Sequence, residues 1–158
     1  MKLIFSFITA FMLFFQSGLE SLRESYAKAN ISNANTESFI NTAEKASGSD
    51  AITLGYKAAA KIMEAKIAKQ NRKALVKSGA TNLEAVIKNN PNNAELRLIR
   101  MSVQENIPKI VGYRGSLKDD KAFLISNYSK QNAALKNYIK RFAAQSKTMT
   151  EAEKATFK

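Results

Sequence analysis

The chain has 158 residues, of which 45% are hydrophobic, and it carries 25 Lys and Arg against 13 Asp and Glu. This length and apolar content predict one folded domain with a buried core, and the net charge of +12 predicts anionic partners. Because the sequence contains no Cys and no His, thiol nucleophiles, disulfides, imidazole bases and the usual zinc ligands are excluded together.

The first 18 residues, MKLIFSFITAFMLFFQSG, are typical of a secretory signal sequence. Lys2 precedes an apolar run from Leu3 to Phe15 that is shorter than the roughly 20 residues a helix needs to cross a bilayer. We therefore expect an exported bacterial protein, periplasmic or secreted, that is cleaved near Gly18 and leaves residues 19–158 as a single all-helical domain. An N-terminal tether is the alternative, because no A-x-A motif stands at the expected cleavage site.

After Gly18, apolar residues recur at spacings of three and four, and alternating strand patterns are lacking. The sequence therefore predicts an all-α fold in which antiparallel helix pairs stack as a short array or a bundle. The first predicted helix contains Leu19 and Tyr26, and the next three span residues 35–46, 50–68 and 71–89. The fifth is capped by Asn93, the sixth and seventh span 117–128 and 132–145, and a short eighth helix starts at Thr148 or Thr150.

The fourth predicted helix has the clearest apolar stripe, and a glycine, Gly79, interrupts it. Gly in a helix interior costs about 1 kcal/mol relative to Ala. Its place on this stripe predicts that another helix comes close at Gly79. We expect Leu at this position to overpack the interface and Ala to fit.

The segment from Gly79 to Arg100 resembles the joint between two tetratricopeptide repeats. Gly79 stands in the small-residue position of the second helix, Leu83 in the bulky position four residues later, Val86 in the next small-to-medium position and Pro91 in that of the closing proline. The next helix starts immediately, as it does in that family.

The match is partial. Leu54 and Gly55 correspond to the Leu-Gly pair of the first helix in that family, but they lie farther from Pro91 than the family pattern has them. The resemblance implies stacked helix pairs with a concave surface that binds peptides or partner domains. A closed helical bundle fits the same stripes and stays open as the alternative.

The chain also resembles small exported flavobacterial proteins of unassigned function that share a similar NPNNAELR segment. This resemblance implies a compartment and does not imply an activity.

Arg97 and Arg100 lie one turn apart on a helix rich in apolar residues, and Gln104 continues their stripe. Guanidinium groups hold carboxylates in a bidentate manner, so the three residues are candidates for a partner-binding clamp. The alternative, which we favour, is a structural clamp, because charges near a core need partners. The acids available are Glu84, Asp119 and Asp120.

Basic residues are concentrated in 57–77 and 121–147. Lys136, Lys140 and Lys147 fall on a similar side of their helical region and are candidates for a patch that meets an anionic surface, with a solvated helix face as the alternative. Nucleic acid is not an expected partner, because the aromatic residues lie on apolar stripes and no recognition motif appears.

Two short matches to enzyme motifs are interpreted as chance. The segment SYAK, Ser25 to Lys28, matches S-x-x-K, and KSG, Lys77 to Gly79, resembles K-T-G, but both lie on helical stripes of a chain too short for the fold that uses them. We predict no catalytic residue, metal or cofactor. The expected function is that of an exported, non-catalytic module that binds or scaffolds a protein or peptide. The alternative is a basic bundle that associates with anionic cell-envelope surfaces or lipids.

Overall fold

The computed structural model describes residues 18–158, and in that range it contains α-helices and short turns with no strand. The predicted all-α fold class is therefore confirmed. Apart from Gly18, the predicted signal sequence lies outside the described residues. No helix in the described part of the chain is long and apolar enough to cross a membrane.

The eight α-helices that the structure describes follow one another through short connections. They are α1 (18–28), α2 (Asn33–Lys45), α3 (Ala51–Ile67), α4 (Arg72–Asn89), α5 (Ala94–Asn106), α6 (Leu117–Asn127), α7 (Ala133–Gln145) and α8 (Glu151–Lys154). Short 3-10 turns at Lys109–Val111 and Tyr128–Lys130 separate α5 from α6 and α6 from α7. The ends of the predicted helices differ from these bounds by a residue or two, as helix ends commonly do.

Local capping accounts for several of the helix starts. Side chains of Ser32, Asp50, Asn93 and Asn132 accept hydrogen bonds from backbone N–H groups in the first turns of α2, α3, α5 and α7. Thr150 forms a reciprocal capping box at the start of α8. Because these residues satisfy backbone donors that a helix leaves unpaired, they fix where each helix begins.

Helices α3 and α4 form a closely packed hairpin, and Gly79 lies where the backbones of the two helices are close together. A Cβ atom at Gly79 would lie 2.7 Å from the carbonyl oxygen of Ala58 and 2.9 Å from the backbone nitrogen of Ile62. The predicted close approach is confirmed. The expectation that Ala fits is wrong, because two of the three nearest atoms that its methyl group would meet belong to the backbone and cannot rotate away.

Helix α5 lies at the centre of the fold and packs against α3, α4, α6 and α7. Most of its residues are buried, and two apolar clusters meet on it. One cluster, with α1 to α4, includes Phe39, Tyr56 and Leu83, and the other, with α6 to the C-terminus, includes Ile139 and Phe157. This central position explains why the apolar residues of α5 spread around more than one face.

Helix α1 packs across elements that are distant in the sequence. The Tyr26 ring contacts the rings of Phe39 and Tyr56 at centroid distances of 4.9 and 5.5 Å. Its hydroxyl group donates to the carbonyl oxygen of Ile99 in α5 at 3.3 Å. Glu24 pairs with Arg141 at 2.6 Å, which ties α1 to α7. Helix α1 therefore covers a face to which α3, α5 and α7 all contribute.

Candidate functional site

The predicted clamp arginines lie where α4, α5 and α6 meet. Arg100 donates from Nε and Nη2 to the two carboxylate oxygens of Asp120, each at 2.7 Å, and from Nη1 to Glu84 at 2.5 Å. Arg97 donates from Nη1 to Asp120 at 3.0 Å. Asp119, the other candidate partner, is exposed and forms no ion pair within residues 18–158.

The Asp120 carboxylate has no solvent-exposed surface, and Arg100 is also buried. Burial lowers the pKa of Arg100, but the hydrogen bonds and negative charges of Asp120 and Glu84 outweigh burial and raise that pKa above its ordinary value. All three nitrogens of the Arg100 guanidinium thus already donate to acids of the protein.

The Tyr113 hydroxyl group donates to the second oxygen of Glu84 at 2.6 Å. The pKa of Tyr113 is raised by burial and then by Glu84.

Gln104, the third residue of the predicted clamp, is buried on α5. Its side-chain oxygen accepts a hydrogen bond from the backbone N–H of Ser116 at 3.1 Å, directly before α6 begins. Gln104 therefore holds the connection into α6, and its amide oxygen faces the protein. The three clamp residues share one region of the fold, and their contacts are internal.

A second buried ion pair, between Arg23 and Glu95, connects α1 to α5 and was not predicted from the sequence. Glu95 accepts from Nε and Nη2 of Arg23 at 2.8 and 2.6 Å, and from the Tyr56 hydroxyl group at 2.8 Å. The hydrogen bond to Glu95 raises the pKa of Arg23, and burial raises the pKa of Tyr56. The one signal available was an acid at the start of a helix packed on two sides.

A third buried acid, Glu105, fixes the chain after α7. It accepts from the Ser146 hydroxyl group at 2.5 Å and from the backbone N–H groups of Lys147 and Thr148 at 3.3 and 3.2 Å. In the described residues, no buried side-chain nitrogen or oxygen lacks a hydrogen-bond partner. The buried polar groups thus hold helices together through contacts that are internally complete.

The three lysines of the predicted anionic-surface patch have different surroundings. Lys136 is half-buried, with its ammonium 5.9 Å from the centre of the Tyr128 ring, whereas Lys140 is exposed. Lys147 donates from Nζ to the side-chain oxygen of Asn106 at 2.7 Å, beside the end of α5. Lys136 and Lys147 therefore have contacts with different parts of the fold.

A cleft of about 800 Å³ lies between the ends of α1, α3 and α5 and the start of α4. We call it the basic cleft. Its apolar lining residues are Ile62, Met63, Ala65, Val76, Val103, Ile107, Pro108, Ile110 and Val111. Its polar and charged lining residues are Tyr26, Asn30, Lys66, Arg72, Lys73, Asn106 and Lys147. The volume lies within the range of typical ligand sites.

The charge of the basic cleft has one sign. Lys66, Arg72, Lys73 and Lys147 are all exposed at its edge, and no Asp or Glu belongs to its described lining. Ile110, on the 3-10 turn at the mouth, is 96% exposed. An apolar interior with cations at its opening is chemically suited to a ligand that combines hydrocarbon with negative charge.

A smaller cavity of about 450 Å³ adjoins the basic cleft and shares Tyr26, Asn30, Asn106 and Lys147 with it. Its own lining includes Glu24 and Glu105 together with Lys28 and Arg141, so its charges are mixed. The hydrogen bond from Lys147 to Asn106 lies in the wall common to both spaces. Of the two cavities, the basic cleft alone combines an apolar interior with charges of a single sign.

Sequence reasoning did not identify the basic cleft, although two signals pointed toward it. The basic run in 57–77 supplies Lys66, Arg72 and Lys73, and the predicted patch supplies Lys147. The cleft forms only when the ends of separate helices come together, and helical periodicity carries no information about that. The basic residues in 57–77 are spread along two helices, and their spacing in the sequence does not predict that they surround an opening.

No family model matches the chain, and no curated protein and no solved structure is significantly similar to it. Within residues 18–158, no group of three or more acidic side chains lies in an arrangement that could hold a metal ion.

Proposed function

We propose that this chain is an exported, non-catalytic binding module, built of helix pairs stacked in a tetratricopeptide-like manner, that holds an anionic and partly apolar partner group in the basic cleft. The observation that carries the proposal is the lining of the cleft. Apolar side chains form its interior, and Lys66, Arg72, Lys73 and Lys147 surround it without an acid. A module of this kind acts by holding its partner, and the sequence predicts that the partner is a protein or peptide.

The position of α1 supports the cleft as the binding surface. In a stacked array the partner binds along the inner face of the helix pairs, but α1 lies across α3, α5 and α7 through Tyr26, Arg23 and Glu24. The alternative clamp, Arg97 and Arg100, is engaged by Asp120. The basic cleft beside α1 is a concave surface that stays accessible.

The helix-pair arrangement is supported by the contacts between neighbouring helices. The hairpins α3–α4 and α5–α6 are the closely packed pairs, together with α2 against α3, and α5 packs on α3 of the preceding pair. Leu83 is buried on α4, and Pro91 lies directly after that helix, in keeping with the positions that the resemblance assigns to them. A solved structure that places successive pairs at a constant rotation would support an array, and a closed ring of helices would support a bundle.

Export is supported by the composition of the first 18 residues. We expect the mature protein to begin near Leu19. Intact-mass measurement of the protein isolated from the cell envelope tests this expectation. Retention of Met1 on protein recovered from the cytoplasm would contradict it.

The binding role is tested by capture from an extract of the producing cell's envelope at low and high salt. We expect one partner to be retained by the wild type and lost by the Ile110→Asp variant, which places an acid at the mouth of the basic cleft. Ile31→Asp is the matched control, because Ile31 is 74% exposed and lies outside the cleft. Equal capture by both variants would remove the cleft from the proposal.

The second candidate, association with anionic envelope surfaces or lipids, is supported by the net charge of +12 and by the exposed Lys140 and Lys147. It predicts binding that spreads over many lysines and falls steeply as salt is added, because exposed charges are screened. Binding to phosphatidylglycerol vesicles that is abolished at high salt and unchanged in Ile110→Asp would favour this candidate.

A further inference from the structure

We propose that the ligand of the basic cleft is a single long-chain carboxylate, such as a free fatty acid, with its tail in the apolar interior and its head group at the basic edge. This inference rests on the proposed function, because it identifies the anionic and partly apolar group bound at that same site as a lipid, in place of the protein or peptide that the sequence predicts. It is carried by the distribution of hydrogen-bonding groups and charges within the cleft.

The interior of the cleft is lined mainly by apolar side chains. Its walls are the side chains of Ile62, Met63, Val76, Val103 and Ile107, none of which carries a hydrogen-bonding N–H or O–H group. Most of these residues belong to helices, whose backbone groups are already paired within the helix. A hydrocarbon tail needs no hydrogen bonds and gains roughly 0.8 kcal/mol for each CH₂ group buried.

An extended peptide would bind less well in the same place. Every peptide unit carries an N–H and a C=O group, and leaving these unpaired on burial is costly. The neutral polar side chains of the lining are Tyr26, Asn30 and Asn106. Tyr26 already donates to Ile99, and the Asn106 oxygen already accepts from Lys147, so these two side chains offer little to a peptide backbone.

The head group is assigned from the edge of the cleft. Lys66 lies in the last turn of α3 and Lys73 in the first turn of α4, so the short connection between the two helices brings both lysines to the same opening. Arg72 and Lys147 add two further cations, and no acid of the described lining competes for them. A carboxylate at this edge gains several favourable charge interactions while it stays hydrated.

The size of the cleft favours one tail. A volume of about 800 Å³ is in the upper part of the 300–1,000 Å³ range of small-molecule sites, which suits a single chain better than a two-chain phospholipid. Met63 lines the interior, and its flexible thioether can adapt to a tail of variable length. Ile110 and Val111, exposed at the mouth, provide further apolar contact where the tail enters.

The test uses the full chain and the fluorescent fatty acid cis-parinarate. The protein contains no Trp, so its intrinsic fluorescence comes from tyrosine. One of these tyrosines, Tyr26, lies in the wall of the cleft. We expect saturable energy transfer from tyrosine to the bound probe, and we expect palmitate to displace the probe. Hexadecanol has a similar tail and no charge, and we expect its affinity to be lower than that of palmitate by a factor of about ten or more.

A charge variant and a matched control locate the site. Replacing Lys66 and Lys73 together with Gln should weaken palmitate binding about fivefold or more, because exposed ion pairs contribute modestly one by one. The control replaces Lys77 and Lys88 with Gln, two exposed lysines of α4 outside the cleft, and should leave binding unchanged. All four side chains are exposed, so both variants are expected to keep the helical circular-dichroism spectrum.

Several results would overturn the inference. Equal binding of palmitate and hexadecanol, or equal binding by both lysine variants, would show that the head group is not recognised at this edge. Binding of an acidic, apolar peptide without binding of palmitate would make the cleft a peptide site. A dimer that Ile110→Asp converts to a monomer in sedimentation would make a second copy of the chain the occupant.

The two proposals fail in different ways. If no long-chain probe binds while Ile110→Asp still abolishes capture of a partner from the extract, the ligand class is wrong and the binding role stands. If the cleft variants affect neither measurement, the binding role of the cleft is wrong as well.

Discussion

Arg23 and Glu95 form a buried bidentate ion pair across 72 positions of the sequence, with nitrogen-to-oxygen distances of 2.8 and 2.6 Å. Tyr56 donates to the same carboxylate from α3. Helices α1, α3 and α5 are therefore joined at one acid, and loss of Arg23 leaves Glu95 buried without its counter-charge.

Replacing Arg23 with Met should destabilise the protein by about 3–5 kcal/mol, because Glu95 stays buried and keeps only Tyr56 as a partner. The double variant with Glu95→Gln should recover part of that loss, since the unpaired charge is then absent. Urea denaturation of the four proteins of this cycle measures the interaction. Additive losses in the double variant would contradict the pairing.

Arg100→Ala should cost about 3–5 kcal/mol of unfolding free energy, since it removes the bidentate partner of the fully buried Asp120. Arg97→Ala should cost about 1 kcal/mol, because Arg100 continues to neutralise Asp120 in that variant. Chemical denaturation with exposed Lys118→Ala as the control tests the ranking. Equal costs for the two arginine variants would show that they share the carboxylate equally.

Gly79→Ala should destabilise the α3–α4 hairpin by about 1–3 kcal/mol, although Ala normally favours a helix. The added methyl group would lie 2.7 Å from the backbone oxygen of Ala58, so the helices have to separate. The measured quantity is the denaturation midpoint, with Ser78→Ala, an exposed neighbour on the same helix, as the control. A raised midpoint in Gly79→Ala would show that the helices separate without cost.

The N-cap of α3 should make stability depend on pH in the acid range. Burial raises the pKa of Asp50, but hydrogen bonds from Thr53 and Ile52 outweigh it and hold that pKa below the ordinary value of 3.8. Stabilisation by this carboxylate is therefore complete above pH 3.8 and is lost as the pH falls through the lower, folded-state pKa.

We expect Asp50→Asn, which cannot be ionised but can still cap, to lose less stability than the wild type on acidification. Thermal unfolding of both proteins between neutral pH and about pH 3, near the ordinary Asp pKa, gives the comparison. Asp119→Asn is the matched control, because Asp119 is exposed and forms no ion pair in the described part of the chain. Parallel pH profiles for wild type and Asp50→Asn would contradict the role of the carboxylate.

The features predictable from the sequence were those decided locally. Asn93 and Pro91 mark a helix boundary through capping and the missing backbone N–H group, and both act within one turn. Gly79 was predictable as a close contact, because a glycine on the apolar stripe of a helix usually marks a place where another backbone comes near. The strength of that contact was not predictable, since it depends on how near the backbone of Ala58 lies.

The candidate site was less predictable, because its parts come from different helices. Arg97 and Arg100 were singled out by their charge on an apolar helix, but the sequence left their role open between partner and core. Lys66 and Lys147 looked like members of two separate basic regions. Only the packing of the helix ends brings them to one opening, and it is determined by contacts such as the one between Tyr26 and Ile99.

The long-range docking of α1 has a consequence for the order of folding. The α3–α4 hairpin closes over a short connection and can form early, whereas α1 needs Glu95 in α5 and Arg141 in α7. During synthesis, Tyr26 of α1 meets Phe39 and Tyr56 as soon as α2 and α3 have emerged, but its hydrogen bond to Ile99 and the ion pairs of α1 wait for α5 and α7. Helix α1 is thus synthesised well before the helices that complete its packing, and in this interval the growing chain is open to chaperones and to aggregation.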